Sequence, residues 1–322
     1  LNKYKLPKLK PEYTELVDSI IKDLENNIIP WRKPWFSKLP VNFKTKKQYR
    51  GINILLLLSA AHKKGFESHY WLTANQAFHL GGKIKSIEVN KNSNIILAKW
   101  KHKIVKDERG RPQKKMWLMM RSHKIYNLEQ TTGVRNKYYD GNTLSLFNIN
   151  QQAEDVIKSY RNPPVFSYSP DRAYYMPCLD LIGIPKLDQF YSPEEYYSTY
   201  FHELIHSTGH KKRLNRSLFA KVIKFGDEEY AKEELVAELG AAFLSSHCDF
   251  FSKTCKNSGA YLKSWLKVLK SDKTFLLSAT KHAQFACDYI IEGKPQEQED
   301  VKDEEEQKGL KDVKFTQDIV FK

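Results

Sequence analysis

A chain of 322 residues with 41% hydrophobic side chains is long enough for two packed domains and too apolar to be disordered throughout. Its net charge of +15 points to a polyanionic partner, and four cysteines without a CxxC pair exclude a disulfide framework. The longest apolar run, "ILLLLSAA" at 54–61, falls far short of the roughly 20 residues that a membrane span needs. No basic–apolar–small leader opens the sequence, so a cytoplasmic location is expected, with no membrane partner.

Helical spacing of Leu16, Ile20, Ile21 and Leu24 predicts a first helix over 11–27, stopped by the prolines of "PWRKPW". A second is expected over 53–63, ending at Gly65, and a third over 73–80, ending at Gly81 and Gly82. The stretches "KSIEVNKNSNIILAKWKHKIV" and "KKMWLMMRSHKIYNL" are rich in β-branched and aromatic residues, and "KDERGRPQKK" reads as their hairpin tip. Beyond a proline-rich stretch, "CLDLIGIP" reads as a short strand. Helices follow over 193–208 and 228–246, with a helical pair over 258–292.

The charge is unevenly placed. Residues 1–150 hold 29 Lys and Arg against 11 Asp and Glu, a balance of +18, which leaves −3 for the remainder. A polyanion-binding module joined to something else is the simplest reading, with a border near 140–150.

The second module carries "YFHELIHSTGHKKRL" at 200–214. Ser192 can cap its helix, Pro193 suits the first turn, Glu195 completes a capping box, and Gly209 can end it in the left-handed region. On a helix, His202 and His206 lie on one face, so both imidazoles can reach one ion. Glu203 falls beside the open coordination position, which is the HExxH arrangement of zinc hydrolases. A catalytic ion needs a third protein ligand. The long form of the motif would place a histidine where Lys212 stands. His210 is a second candidate, at the helix end. Glu234 is the favoured one, with Glu233 as its rival and Glu238 one turn further to orient a histidine ring. Ala237, Gly240 and Ala241 would let the second helix pack closely on the first. Zinc (Zn2+) is the expected ion, one per chain, although His2Glu sites also accept Mn2+ or Co2+. Glu203 would act as general base in hydrolysis. The alternative is a metal that only ties two helices together or supports protein docking.

In the basic half, single-strand binding calls for cations along phosphates and aromatic faces for bases. Trp31, Arg32, Lys33 and Trp35 offer both, as do Lys44, Lys46, Lys47, Tyr49 and Arg50. Trp71, Trp100 and Trp117 read as core.

The block "FHELIHSTGHKKRL…FGDEEYAKEELVAELGAAFL" resembles the zincin-like metallopeptidase half of ArdC-type antirestriction proteins. "IIPWRKPW", "YRGINILLL", "YWLTANQAFHLGGKI" and "KIYNLEQTTG" resemble that family's single-stranded-DNA-binding domain. The resemblance spans about residues 12–292. It departs where Ser207 replaces a common Trp and where "SIEVNKN" replaces a glycine-containing turn. It implies an α+β chain of two domains. A basic α/β single-stranded-DNA-binding domain would cover 1–145, and a mainly helical zincin-like metallopeptidase domain with a small sheet 146–293. Residues 294–322 would form a charged tail. It also implies metal ligands His202, His206 and Glu234 and the base Glu203, while Asn53 is expected among the DNA contacts beside Tyr49 and Arg50. The function implied is protection of incoming DNA carried on a mobile element, with single-stranded DNA and a host restriction enzyme or another protein substrate as partners.

Overall fold

The computed structural model describes residues 9–29, 39–106, 112–134, 149–216, 228–250 and 258–293. Helix α1 (Pro11–Glu25) starts at a proline in its first turn and buries one stripe: Tyr13, Leu16, Val17, Ile20, Ile21 and Leu24. Burying these six side chains contributes roughly 10 kcal/mol before the entropy of ordering is subtracted. Strand β1 (Val41–Asn42) and helix α2 (Ile52–Lys64) follow, and Gly65 closes α2 at φ 69°. After strand β2 (Tyr70–Leu72), Thr73 and Gln76 form a capping box on α3 (Ala74–His79).

Strand β3 (Lys83–Ile84) precedes a long ribbon of β4 (Ser93–Lys106) and β5 (Pro112–Asn127). The expected hairpin tip lies outside the described residues. The strand order is β1-β2-β5-β4, and only the far end of β5 pairs with β2, at Tyr126 and Asn127. The antiparallel register of the ribbon runs from Ser93 opposite Ile125 to Lys106 opposite Pro112. Strand β6 (Thr131–Thr132) pairs with β3. Trp71 is buried with Tyr49, Leu57, Ile95 and Ile125, as expected for a core tryptophan.

The second half opens with α4 (Ile149–Ser159). A three-stranded sheet follows: β7 (Val165–Tyr168), β8 (Tyr174–Met176) and β9 (Leu181–Ile184), in the order β7-β9-β8. Helix α5 (Pro193–Thr208) packs against it, α6 (Glu228–His247) packs on α5, and α7 (Ser258–Ser271) and α8 (Phe275–Glu292) pack on α6. The architecture is therefore α+β, with helices and small sheets in both halves.

One hydrophobic core joins the halves: the buried stripe of α1 belongs to the same cluster as Phe201, Leu235, Trp265 and Ile290. Polar bonds reinforce the junction. The Tyr13 hydroxyl donates to the Lys273 carbonyl, Lys273 pairs with Asp18, and Lys270 pairs with Glu25 at 2.6 Å.

Helices α5 and α6 meet closely because small residues line the contact. Ala237 and Ala241 are buried, and a Cβ on Gly240 would stand 2.7 Å from Cδ1 of Ile205. Crowding a packed contact costs about 1–3 kcal/mol, while alanine gains up to about 1 kcal/mol of helix propensity. Gly240→Ala is therefore expected to lower stability by about 1–2 kcal/mol in chemical unfolding. An unchanged midpoint would mean that the two helices have slack.

Candidate metal centre

The N-terminus of α5 follows its local chemistry. Ser192 accepts the Glu195 amide at 3.2 Å, and Glu195 turns back to accept the Tyr191 amide at 3.0 Å. The helix ends differently from expectation. Gly209 sits at φ −70°, in the right-handed region, and the left-handed residue of the exit loop is Asn215 at φ 48°. A loop wound by Asn215 leaves Gly209 no need of positive φ.

In the second half of α5, His202 and His206 turn the same way. Their Nε2 atoms lie 3.0 Å apart. Glu234 reaches across from α6, with Oε1 at 3.3 Å from Nε2 of His206 and Oε2 at 3.4 Å from Nε2 of His202. For metal–ligand bonds of about 2.0–2.1 Å, the edge of a tetrahedron is about 3.3 Å. Two imidazole nitrogens and a carboxylate at that spacing fit a divalent ion with an open fourth position.

Electrostatics agree with a site built for a cation. Burial disfavours the charge on Glu234, yet the two imidazoles hold its carboxyl well below the usual carboxylate range. Burial also opposes charge on His206, but Glu234 and Glu233 overcome it and carry the imidazole up to about 10. Without an ion, protons supply the positive charge that the buried carboxylates demand.

Glu203 stands beside the triangle and not in it, close enough to His202 and His206 to feel their charge. It is buried, is not one of the three converging ligands, and accepts the backbone amide of Tyr175 from β8. Burial pushes its carboxyl up, which is the direction a proton-shuttling group needs near neutral pH.

Two further carboxylates face the outer nitrogens of the histidine rings. Glu233, the rival ligand, faces Nδ1 of His206 at 3.4 Å. Glu238 lies 3.7 Å from Nδ1 of His202, which is buried without a hydrogen bond. His210 turns away toward Asp180, with Nδ1 at 3.7 Å from its carboxylate. Asp180 in turn accepts from Arg213 and from the Tyr175 hydroxyl. Arg216, Arg213, Asp180 and Tyr175 also surround the centre, joined by hydrogen bonds. No spacing rule marks them, because they reach the centre through a loop and a strand.

The proposed DNA contacts divide into three groups. Trp31, Arg32, Lys33 and Trp35 lie outside the described residues. Lys44, Lys46 and Lys47 are exposed on one turn, which the Asn42 side chain braces by accepting the Thr45 amide at 3.0 Å. Tyr49, Arg50 and Asn53 are engaged internally and correct the expectation. Tyr49 is buried and its hydroxyl accepts from Asn42. Arg50 pairs with Asp288 on α8. Asn53 is buried and exchanges two hydrogen bonds with the Ile96 peptide, at 2.7 and 2.9 Å.

An HExxH helix crossed by a carboxylate-bearing helix, beside a separate basic half, defines a two-domain protein with a zincin-like metallopeptidase domain. Comparison agrees. Residues 151–282 match the family model of a zincin-like metallopeptidase. Residues 10–127 match that of the N-terminal domain of anti-restriction factor ArdC. The crystal structure of the antirestriction protein ArdC from plasmid R388, in its metal-free form, is 32% identical. It aligns at a TM-score of 0.67 over 87% of this chain and 97% of that one. Its Mn(II)-bound form aligns at 0.66, over 86% and 96% of the two chains. A DNA primase TraC of Escherichia coli is 29% identical over 300 residues, which are 88% of this chain but 20% of the primase. The chain thus spans about a fifth of that relative. The chain belongs to the ArdC antirestriction family.

Proposed function

We propose that this chain protects incoming DNA by binding single strands through its basic half, and that its second half is a metal-dependent peptidase. The peptidase reading rests on one observation: the triangle formed by His202, His206 and Glu234, with the buried carboxylate of Glu203 beside it but outside it. A structural metal site would have no use for that fourth group. Zinc suits the two imidazoles and one carboxylate, and the Mn(II)-bound relative supports a site open to more than one divalent ion. When bound, the ion would polarise a peptide carbonyl and acidify water. Glu203 takes a proton on its carboxylate and returns it to the leaving amine, and the Tyr175 amide keeps that carboxylate in place. A restriction enzyme in the host cytoplasm is the substrate this reading favours.

For DNA, Lys44, Lys46 and Lys47 form the described part of the contact surface, with Trp31, Arg32, Lys33 and Trp35 as further contacts. Titration with single-stranded DNA at two salt concentrations tests this, alongside metal analysis of the purified protein. Replacing all three lysines by alanine is expected to reduce the slope of log K against log salt by about 2, at about 0.7 per phosphate lost. A wild type that takes up no metal when zinc is supplied would end the peptidase reading. Affinity indifferent to salt would end the DNA reading.

A further inference from the structure

We infer that Arg216, which lies outside the motif, is the positioning residue that makes His206 a metal ligand. The inference rests on the metal reading above. Both partners are about 5% exposed, and the guanidinium grips both oxygens of Glu233: Nε donates to Oε2 at 3.1 Å and Nη2 to Oε1 at 2.5 Å. The remaining donors run to the end of α5. Nη1 donates to the Thr208 hydroxyl at 2.6 Å, and Nη2 also donates to the Ile205 carbonyl at 2.8 Å. One side chain thus fastens α5 to α6 beside the proposed ligand.

Two consequences follow from this geometry. Oε1 of Glu233 faces Nδ1 of His206 at 3.4 Å, which holds the ring with Nε2 turned toward His202 and Glu234. The fork also removes Glu233 from competition. Adjacent carboxylates at 233 and 234 both reach His206, but only Glu234 has oxygens facing both Nε2 atoms, because Arg216 occupies those of Glu233. Arg216 therefore selects which glutamate binds as well as orienting the ring. His202 has no equivalent support, since its Nδ1 is buried without a hydrogen bond.

The test is metal affinity in the full chain, read by chelator competition with Co(II) and by the visible absorption of the Co(II)-loaded protein. Arg216→Met and Glu233→Gln are each expected to weaken Co(II) binding about 10–100-fold and to shift that absorption, at a temperature where circular dichroism shows them folded. Trp71→Phe, which disturbs the distant core of the basic half, is expected to leave both readouts unchanged. Should Arg216→Met fail to fold, Glu233→Gln carries the same comparison, since it keeps the side-chain volume. Wild-type affinity and spectrum in the variants, or a loss that Trp71→Phe shares, would overturn the assignment. A wild type that binds no Co(II) would instead overturn the metal reading itself.

Discussion

Glu203→Gln is expected to retain a full complement of metal and to lose hydrolysis by a factor of about 10²–10⁴. The substitution preserves volume and one acceptor oxygen, so the bond from the Tyr175 amide can survive. It removes the one feature that hydrolysis needs there, a carboxylate that can take up and release a proton. The ligand triangle does not include Glu203, so metal content should not fall. Glu234→Ala is the complementary variant. It opens the triangle and should drop metal content toward zero, leaving the two imidazoles without their shared counter-charge. Elemental analysis and cleavage of unfolded casein, run on both variants, separate the two roles. A glutamine variant as active as wild type would remove Glu203 from the chemistry and leave a metal that only ties helices together.

Arg50→Met is expected to cost about 3 kcal/mol of stability, the lower end of the range for breaking a buried ion pair, because Arg50 is a quarter exposed. Asp288 would be left charged at 5% exposure, with Gln284 Nε2 as a remaining donor at 3.1 Å. Gln284 is itself committed, since its Oε1 accepts the Gly51 amide at 3.2 Å. The four groups form a clasp between the start of α2 and the middle of α8. A loss of about 3 kcal/mol should lower the melting temperature by about 4–5 °C. Adding Asp288→Leu should recover most of it, because an apolar pair has no stranded charge. A melting temperature within about a degree of wild type would show that water already shares the pair. If Arg50 instead contacted phosphates, the variant would keep its stability and lose DNA affinity.

The same residue shows where sequence reading reaches its limit. "KTKKQYRG" looks like one cationic stretch, yet the partner of its arginine is 238 positions away. No local pattern distinguishes a cation aimed at solvent from one aimed at a distant buried aspartate. By contrast, α5 was readable because its determinants are local: a serine cap, a proline in the first turn and two histidines four apart. Glu234 was readable because small residues beside it announce a close helix contact. The job of Glu233 was not readable. It depends on Arg216, and Arg216 arrives by way of a loop whose path turns at Asn215. The division into two modules was legible in the change in charge, and the α+β class came with the family resemblance. The shared core was not legible, because apolar stripes do not name their partners.

That shared core governs how the chain can be divided. Cutting between the matched segments would strip α1 from α7, uncovering Tyr13, Val17 and their neighbours on one fragment and the seam they covered on the other. Each piece would then own a greasy flank with no tenant, and self-association or misfolding would follow. Experiments that assign DNA binding to one fragment and hydrolysis to the other would be measuring damaged goods. Point substitutions in the intact polypeptide are the sound way to divide the labour.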